Sequence, residues 1–431
     1  MSNPTACTSS NPVEPYYAGR PLRIAVVTET YPPEVNGVAM TVASVVRRLL
    51  ENGHEVQLVR PRQRESAGAA GGERGFPGFT ETLTRGFPIP RYPGLRMGFP
   101  AKRRLTTGWD RLRPDVVHIA TPGPLGWSAL RAAEARGIPT VSEFRTNFHS
   151  YCSHYGIGPL RGMVVSHLRR FHNRTARTLV PTARLGHELA AEGFENLAVV
   201  ARGVDAARFN PVHRSEELRR EWGASPETLV VIGVGRLAME KNLGLLGAAF
   251  DRIRSVRPET RLVLVGDGPA REMIRGRCPS AVFAGNRLGA DLARHYASAD
   301  LFLFPSLTET FGNVTIEAMA SGLPVLAFDY GAAHELIRSG RNGWVATKGD
   351  ETAFLRLASE AAGDLDRIRR LGAAAREDAR PRGWDSIVRQ LEDQYRDALA
   401  LAAARNPDVI VRPEDTGPQP YFDVPEASVA D

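Results

Sequence analysis

Two carboxylates flank a short turn-like stretch in the second half of the chain, and together they could bind a sugar nucleotide. Glu309 precedes Phe311-Gly312-Asn313, and Glu317 follows it. Apolar residues before and after this stretch predict a strand, a loop and a helix that begins near Gly312. The first backbone N–H groups of that helix, around Phe311, Gly312 and Asn313, have no intrahelical partner and suit a phosphate. We expect Glu309 to face the group attached to the phosphate, and Glu317 to accept hydrogen bonds from ribose hydroxyl groups.

The same two acids have a plainer interpretation, in which Glu309 caps the helix and Glu317 lies on its solvated side. Their place in the chain favours a site, because open α/β sheets bind ligands at the carboxyl ends of their strands. The pattern resembles the acidic signature of the retaining nucleotide-sugar glycosyltransferases of family 4, two Glu separated by seven residues. The resemblance implies that Glu309 contacts hydroxyls of the donor sugar and Glu317 the ribose, with Thr310 and Val314 in the same donor site.

Two cations precede this region in the sequence GRLAMEKN, between the end of a predicted strand and the next helix. Arg236 and Lys241 can therefore converge on one anion. The resemblance implies that they hold the departing diphosphate, a role that needs no metal. Each well-placed donor at a developing charge can lower a barrier by roughly 3 kcal/mol. Gly266 and Arg287 lie in loops at adjacent strand ends, where the base could be held, and we assign both to the donor site.

The sequence gives no reason to expect a metal cofactor. Metal-dependent transferases with this substrate class usually carry Asp-x-Asp at the end of a strand. Asp364-Leu365-Asp366 is the only instance in the sequence, and its surroundings predict an exposed helix with a solvated face. His149 and His154 are five residues apart, which is a poor spacing for a helical zinc pair. We therefore predict a transferase that works without metal.

The first half of the chain contributes a second candidate phosphate contact. An apolar strand at residues 22–27 leads through TETYPPEVNG into a helix, and Gly37 stands at the entry of that helix. Its backbone can approach a diphosphate as glycines do in dinucleotide folds, or the glycine can serve a tight turn alone. The family resemblance implies the diphosphate contact.

Further polar candidates stand at later strand ends of the first half. His118 falls near the carboxyl edge of a predicted strand, and Arg145, Asn147 and His149 share the loop after the next one. Loops at strand ends carry function more often than others. We place His118 and Arg145 among the catalytic candidates, and Asn147 and His149 on the acceptor side. Many relatives have His-Thr where this chain has Arg145-Thr146.

Residues 85–105 carry six basic residues, no acids and several aromatic and aliphatic side chains. Such a mixture can lie on an anionic bilayer surface or hold an anionic acceptor. A proline-rich connector with a solvated basic face is the simpler alternative. The segment therefore predicts a possible peripheral contact with an anionic membrane.

Composition limits the class of protein. The 431 residues are too many for one core, and 42% apolar with 24% charged residues is ordinary for a globular chain. No apolar run of 18 residues occurs, so no spanning helix is expected. Three scattered cysteines favour a reducing cytoplasm. The net charge of +7 permits an anionic partner, but no nucleic-acid-binding signature accompanies it.

Strands and helices alternate through both halves, which predicts an α/β protein with parallel, doubly wound sheets. The resemblance implies the GT-B architecture, in which two Rossmann-like domains face each other across a cleft. We expect an acceptor-binding domain at 21–205, a nucleotide-sugar-binding domain at 206–383, and a helix at 384–403 that crosses back to the first domain. Residues 1–20 and 406–431 are expected to be a disordered leader and tail.

The segments RYPGLR, ATPGPLG and FRTNFHSYCSHYG look most like bacterial enzymes that mannosylate or glucosylate lipids. The resemblance implies retaining transfer of a hexose from a GDP- or UDP-linked donor to a lipid or glycan acceptor, in the cytoplasm or on the inner face of the membrane. GDP-mannose is favoured over UDP-glucose. A nucleotide-sugar 2-epimerase of the same fold and a non-catalytic nucleotide-sugar sensor remain as alternatives.

Overall fold

The computed structural model describes residues 19–34, 36–63, 72–89, 92–145 and 161–405. Within them the chain forms two lobes, each built on a parallel sheet. The strands of the first lobe are β1 (Arg23–Val27), β2 (Glu55–Pro61), β3 (Phe79–Thr84), β4 (Gly86–Ile89), β5 (Tyr92–Gly98), β6 (Val116–Ile119), β7 (Thr140–Glu143), β8 (Arg177–Val180) and β9 (Leu197–Val199).

Seven of these strands form one sheet in the order β3-β2-β1-β6-β7-β8-β9, and every neighbouring pair is parallel. β4 and β5 form a separate antiparallel hairpin. The order of the strands reverses between β1 and β6. In open α/β sheets a crevice forms at such a point, outside the carboxyl ends of the strands.

The second lobe repeats this plan. Its sheet has the order β12-β11-β10-β13-β14-β15, again with parallel neighbours, and its order reverses between β10 and β13. The strands are β10 (Val230–Val234), β11 (Arg261–Val265), β12 (Val282–Gly285), β13 (Leu301–Phe304), β14 (Val325–Phe328) and β15 (Gly343–Ala346).

Helices cover both faces of each sheet and bury its apolar side chains. In the first lobe they are α1 (Gly37–Glu51), α2 (Lys102–Leu112), α3 (Pro124–Glu134), α4 (Arg161–His172) and α5 (Ala183–Ala191). In the second they are α6 (Glu216–Glu221), α7 (Leu243–Val256), α8 (Arg271–Arg277), α9 (Gly289–Ala297), α10 (Asn313–Ala320), α11 (Ala332–Leu336), α12 (Glu351–Ala362) and α13 (Leu365–Ala379). None of these described helices, nor the last one below, combines the length and apolar character needed to cross a bilayer.

The last helix, α14 (Trp384–Arg405), leaves the second lobe and packs on the first, as expected from the sequence. Leu391 and Tyr395 are buried in the same core cluster as Val46 of α1. The chain passes between the lobes twice, near Val204 and near Arg382. These two connections run side by side, and the Val204 amide donates to the Arg382 carbonyl over 3.0 Å. The first lobe therefore contains sequence from both ends of the chain.

Two regions contain local structure that the sequence did not indicate. Residues 85–105, for which a proline-rich connector was the simpler alternative, contain the hairpin β4–β5 and the beginning of α2. Residues 350–379 form two helices, α12 and α13. The break falls at Gly363 and Asp364, and the Asp364 side chain accepts from the Arg367 amide over 3.0 Å. Asp364 is therefore an N-cap residue.

Candidate active site

The acidic stretch that suggested a site connects β13 to α10 at the carboxyl edge of the second sheet. The helix begins at Asn313, and Gly312 before it has a φ of 96°. Glycine adopts this left-handed conformation at little cost, whereas other residues are strained there. No side chain caps the helix. The first amides of α10 have no partner inside the helix and carry the positive end of its dipole, so they can receive an anion.

Lys241 and Glu309 meet beside this helix start. The Lys241 ammonium donates to Oε1 of Glu309, and the Ser306 hydroxyl donates to the same oxygen over 2.7 Å. The Glu309 side chain lies against Gly312, with its Cγ 3.5 Å from the position that a Cβ on Gly312 would take. Lys241, Glu309 and the start of α10 therefore share one space.

Arg236 follows β10 and lines the same small cavity as Lys241. Its guanidinium forms an ion pair with Glu240, whose side chain is buried. The Glu240 carbonyl accepts from the Leu307 amide over 3.2 Å, which ties this turn to the acidic loop. The structure thus brings both predicted cations, Glu309 and Gly312 together. A diphosphate bound there would compete with the two carboxylates for the cations.

Glu317 lies in the second turn of α10 and is partly buried. The Tyr296 hydroxyl donates to its Oε2 over 3.1 Å. Burial raises the pKa of the Glu317 carboxyl to about 7, although the Tyr296 hydrogen bond and the charge of Arg208 act in the opposite direction. The carboxyl therefore changes charge near neutral pH. Only its ionised form has both oxygens available as acceptors.

The first lobe brings a second helix start to the same place. Gly37 is the first residue of α1, and a Cβ built on it would meet nothing within 4 Å. Space beside this glycine is therefore open to a ligand. The Thr41 hydroxyl donates to the Gly37 carbonyl over 2.7 Å and accepts from the Asn313 side-chain amide over 3.1 Å. The positive ends of α1 and α10 thus converge between the lobes, which favours an anion there.

His118 and Arg145 lie behind this space, in a buried polar network. The His118 side chain is 1% exposed, with Nδ1 2.5 Å from the Tyr395 hydroxyl and Nε2 2.8 Å from Glu143 Oε1. The Arg145 guanidinium donates to Glu143 over 2.6 Å. Through its carbonyl, Arg145 accepts from the Thr310 hydroxyl of the acidic loop over 2.9 Å. This geometry suits positioning of the loop, and direct catalysis by His118 or Arg145 stays a prediction.

Glu143 is the centre of this network and was not anticipated from the sequence. Burial acts to raise its pKa, but Arg145, Arg202 and His118 together hold the pKa below its usual range. Burial also lowers the pKa of Arg145 to about 10, against the attraction of Glu143. Glu143 is the last residue of β7, so its position at a strand end was the available signal.

The remaining candidates are placed differently. A Cβ on Gly266 would collide with the backbone of Gly235, so packing of the two loops alone requires a glycine there. Arg287 is exposed and donates to the Ala284 carbonyl over 2.9 Å and to Asp291 over 3.1 Å. Neither arrangement indicates a ligand, and their donor roles stay predictions. Asn147 and His149 lie outside the described residues.

Comparisons with known proteins identify the family of the chain. Residues 35–208 match the family described as Glycosyltransferase Family 4, and residues 228–364 match Glycosyl transferases group 1. The chain is 34% identical over 383 residues to a GDP-mannose-dependent alpha-mannosyltransferase of Corynebacterium glutamicum, covering 89% of this chain and 91% of that protein. A protein of the same description from Mycobacterium tuberculosis is 36% identical over 379 residues, with coverage of 87% and 96%.

Solved structures share the fold at low sequence identity. Anabaena Alr3699/HepE in complex with UDP and glucose aligns with a TM-score of 0.67 and 18% identity, covering 86% of this chain and 99% of that one. Sucrose-phosphate synthase from Thermosynechococcus elongatus aligns with a TM-score of 0.69 and 17% identity, with coverage of 88% and 99%. The predicted family, the GT-B fold and the transfer of a hexose are confirmed. The chain belongs to glycosyltransferase family 4 and is a retaining hexosyltransferase.

Proposed function

We propose that this enzyme transfers mannose from GDP-mannose to a lipid or glycan acceptor, with retention of the anomeric configuration and without metal. Three relatives that are 34–36% identical bear the description GDP-mannose-dependent alpha-mannosyltransferase, and each aligns over more than 85% of this chain. The observation that carries the proposal is the meeting of Lys241, Glu309 and the start of α10 in one space. This is the geometry that an anionic leaving group beside a sugar requires.

The leaving group is the nucleoside diphosphate. As the bond between the sugar C1 and the β-phosphate oxygen breaks, its electron pair passes to that oxygen, where negative charge develops. Arg236, Lys241 and the amides at the starts of α1 and α10 stabilise this charge. Fixed donors of this kind contribute roughly 3 kcal/mol each to lowering a barrier. The cations thereby take the part that a divalent metal plays in other transferases.

The acceptor hydroxyl then bonds to C1 from the face that the diphosphate leaves, and a β-phosphate oxygen takes its proton. No protein nucleophile is needed. The diphosphate binds Lys241 and so releases Glu309. The Glu309 carboxylate then accepts hydrogen bonds from hydroxyl groups of the mannose and orients the ring. The ionised Glu317 carboxylate, which the Tyr296 hydroxyl holds by a hydrogen bond, accepts hydrogen bonds from the ribose hydroxyls. Each carboxylate therefore recognises a different sugar of the donor.

The acceptor approaches from the first lobe. The Phe99 side chain is 48% exposed at the end of the hairpin, beside exposed Lys102, Arg103 and Arg104. An exposed aromatic ring among cations suits the interface of an anionic membrane. We place the enzyme at the inner face of the cell membrane, in peripheral contact through residues 85–105.

The test is a transfer assay with the full chain, GDP-mannose or UDP-glucose, and a bacterial lipid extract. We expect mannose in the lipid fraction, release of GDP, and no loss of activity with EDTA. Transfer only from UDP-glucose would replace the donor assignment. Loss of activity in EDTA with recovery in manganese would refute the metal-free mechanism.

Two controls address the alternative activities. An epimerase would change the sugar of the donor with no acceptor present, whereas a transferase needs the acceptor. Glu309→Ala is expected to lose turnover while Glu351→Ala, an exposed acid on α12, keeps it. If Glu309→Ala changed only the affinity for the donor, a sensor would be the better description.

A further inference from the structure

A second cavity, with a volume of about 680 Å³, lies in the first lobe, and its walls are rich in arginine. It opens among the ends of β2 and β3, the hairpin β4–β5 and the first turn of α2. The residues that matter here are Arg62, Thr84, Arg85, Arg96, Phe99 and Arg104. The cavity is separate from the one that Arg236 and Lys241 line.

Within the parts of the chain that the structure describes, no carboxylate forms an ion pair with any of the four arginines around this cavity, although the backbone amide of Arg96 donates to the buried Glu34 carboxylate. Nearby Arg60, in contrast, lies 2.8 Å from Glu81. Arg96 is held across the hairpin by donating to the Gly86 carbonyl, and its buried Nε has no acceptor among the described residues. Four guanidinium groups around one concavity repel one another unless an anion joins them.

The cavity lies on the side of the first lobe that faces the donor site. β1, β2 and β3 are parallel neighbours, so their carboxyl ends share one edge of the sheet. Two strand spacings, ~10 Å, separate β3 from β1 along that edge. The Gly98 amide at the end of the hairpin donates to Oε2 of Glu29, just after β1, over 2.5 Å. A bound acceptor can therefore reach both the cavity and the cleft.

The rim of the cavity is apolar on one side. The rings of Phe87 and Phe99 are 5.0 Å apart, and Phe99 is 48% exposed. Guanidinium groups pair with carboxylate, phosphate or sulfate through two parallel hydrogen bonds, a geometry that an ammonium lacks. An oxyanion inside the cavity and an apolar group at its rim correspond to the headgroup and the acyl chains of an acidic lipid.

Resting on the proposed function, we propose that this arginine cavity binds an oxyanion of the acceptor, and that the acceptor is an acidic lipid. The site would fix the headgroup by its carboxylate, phosphate or sulfate while a sugar or glycerol hydroxyl extends into the cleft. The enzyme would then select acidic acceptors over neutral ones by a specific contact, in addition to any general attraction of the membrane surface.

The test measures binding of one soluble lipid by calorimetry, with the full chain and no bilayer. The probe is dihexanoylphosphatidylglycerol below the concentration at which it forms micelles, and dihexanoylglycerol is the matched probe without phosphate. The double variant Arg62→Gln/Arg104→Gln removes two charges from the cavity. Arg111→Gln/Arg113→Gln removes two exposed charges at the opposite end of the same helix, outside the cavity. GDP binding is measured for every variant.

We expect the wild type to bind the phosphate-bearing probe and not the neutral one. The cavity variant should bind about tenfold more weakly, and the control variant should stay within about twofold of the wild type. Equal losses in both variants, or equal binding of both probes, would overturn the site. So would binding confined to vesicles of phosphatidylglycerol and phosphatidylcholine, since it would describe a membrane-surface patch instead.

The outcomes separate this proposal from the donor assignment. Failure to bind GDP or to transfer mannose would refute the proposed donor while leaving the lipid-binding result to stand alone. Normal mannose transfer to a neutral acceptor, unchanged in Arg62→Gln/Arg104→Gln, would refute the acidic acceptor and leave the donor assignment intact.

Discussion

The Asn313 side-chain amide donates to the Thr41 hydroxyl over 3.1 Å and so joins the start of a helix in the second lobe to the first turns of a helix in the first. Thr41 also donates to the Gly37 carbonyl, within the first turns of its own helix. One hydroxyl therefore fixes the relative positions of the two helix starts that we assign to the donor diphosphate. The contact between the lobes and the arrangement of the anion site therefore depend on the same hydroxyl.

Removing that hydroxyl should weaken donor binding. Valine has nearly the shape of threonine, but Thr41→Val loses both hydrogen bonds. We expect this loss to weaken donor binding by about 1 kcal/mol. We expect the KM for the donor to rise about fivefold, while thermal stability changes little. Steady-state kinetics measure this. Thr106→Val is the control, because the Thr106 hydroxyl makes the same bond to the carbonyl four residues earlier, and among the described residues no hydrogen bond joins it to the second lobe. Equal effects in the two variants would mean that the bond inside the helix matters and the contact between lobes does not.

Loss of the Lys241 charge should slow the chemical step. Lys241→Met removes a donor at the leaving group and leaves Glu309 without its cation. We expect kcat to fall about 100-fold to 1,000-fold, which corresponds to about 3 kcal/mol of barrier. Single-turnover kinetics test this, and Arg356→Met, which removes a charge from an exposed pair with Glu360, is the control. A rise in KM with unchanged kcat would show that Lys241 only binds the donor.

Donor binding should strengthen as the pH rises through about 7, the pKa to which burial raises Glu317. The ionised carboxylate can accept hydrogen bonds from two ribose hydroxyls, whereas the protonated carboxyl carries an O–H that donates a hydrogen bond instead. We expect the Kd for GDP to fall severalfold between pH 6 and pH 8, as measured by calorimetry. Glu317→Gln should flatten the profile, and exposed Glu351→Gln should leave it unchanged. A steep profile that persists in Glu317→Gln would assign the titration to another group.

Glu29 should contribute to the stability of the first lobe. Its carboxyl accepts from the Gly98 amide over 2.5 Å and the Leu125 amide over 3.0 Å, and so joins the hairpin β4–β5 to the start of α3. Glu29→Ala leaves both buried amides unpaired, which should cost about 3 kcal/mol. Chemical denaturation should show the loss, and amide exchange should place it at Gly98 and Leu125. Exposed Glu51→Ala serves as the control.

The same residue should make stability depend on pH. Burial raises the pKa of Glu29 to about 7, against the hydrogen bonds from Gly98, Leu125 and Gly126. The folded state therefore holds a proton that the unfolded state releases above its ordinary value near 4.5. The stability gained from this proton is fully present below about pH 4.5, and it is lost as the pH rises through about 7. Unfolding at pH 6 and pH 8 should differ less in Glu29→Gln; an unchanged difference would contradict the assignment.

The local parts of the donor site could be predicted from the sequence, because strand, loop and helix follow one another there within one short stretch. Gly312 falls at the start of the helix as expected. The long-range contacts of the site could not be predicted in this way. Lys241 and Glu309 are 68 positions apart, and His118 and Tyr395 are 277 apart. The family resemblance placed Lys241 and Glu309 in one donor site, but nothing indicated the contact between His118 and Tyr395.

The hairpin β4–β5 was missed for a physical reason. Pro88 and Pro93 lie within its strands, and a proline in an apolar run normally argues against a strand because it cannot donate to a ladder. In a two-stranded hairpin each strand has a free edge, where the missing N–H costs little. The arginine cavity depends on this hairpin, so it could not be anticipated from the basic composition of residues 85–105 alone.

The return of α14 to the first lobe has a consequence for synthesis of the chain. Trp384, Leu391 and Tyr395 fill the core beside α1, so that core stays incomplete until the ribosome has made nearly all of the described sequence. The second lobe, in contrast, is finished some residues earlier, since its sheet and α13 end before Trp384. The lobe that is translated second should therefore become resistant to protease first, which digestion of stalled nascent chains would reveal.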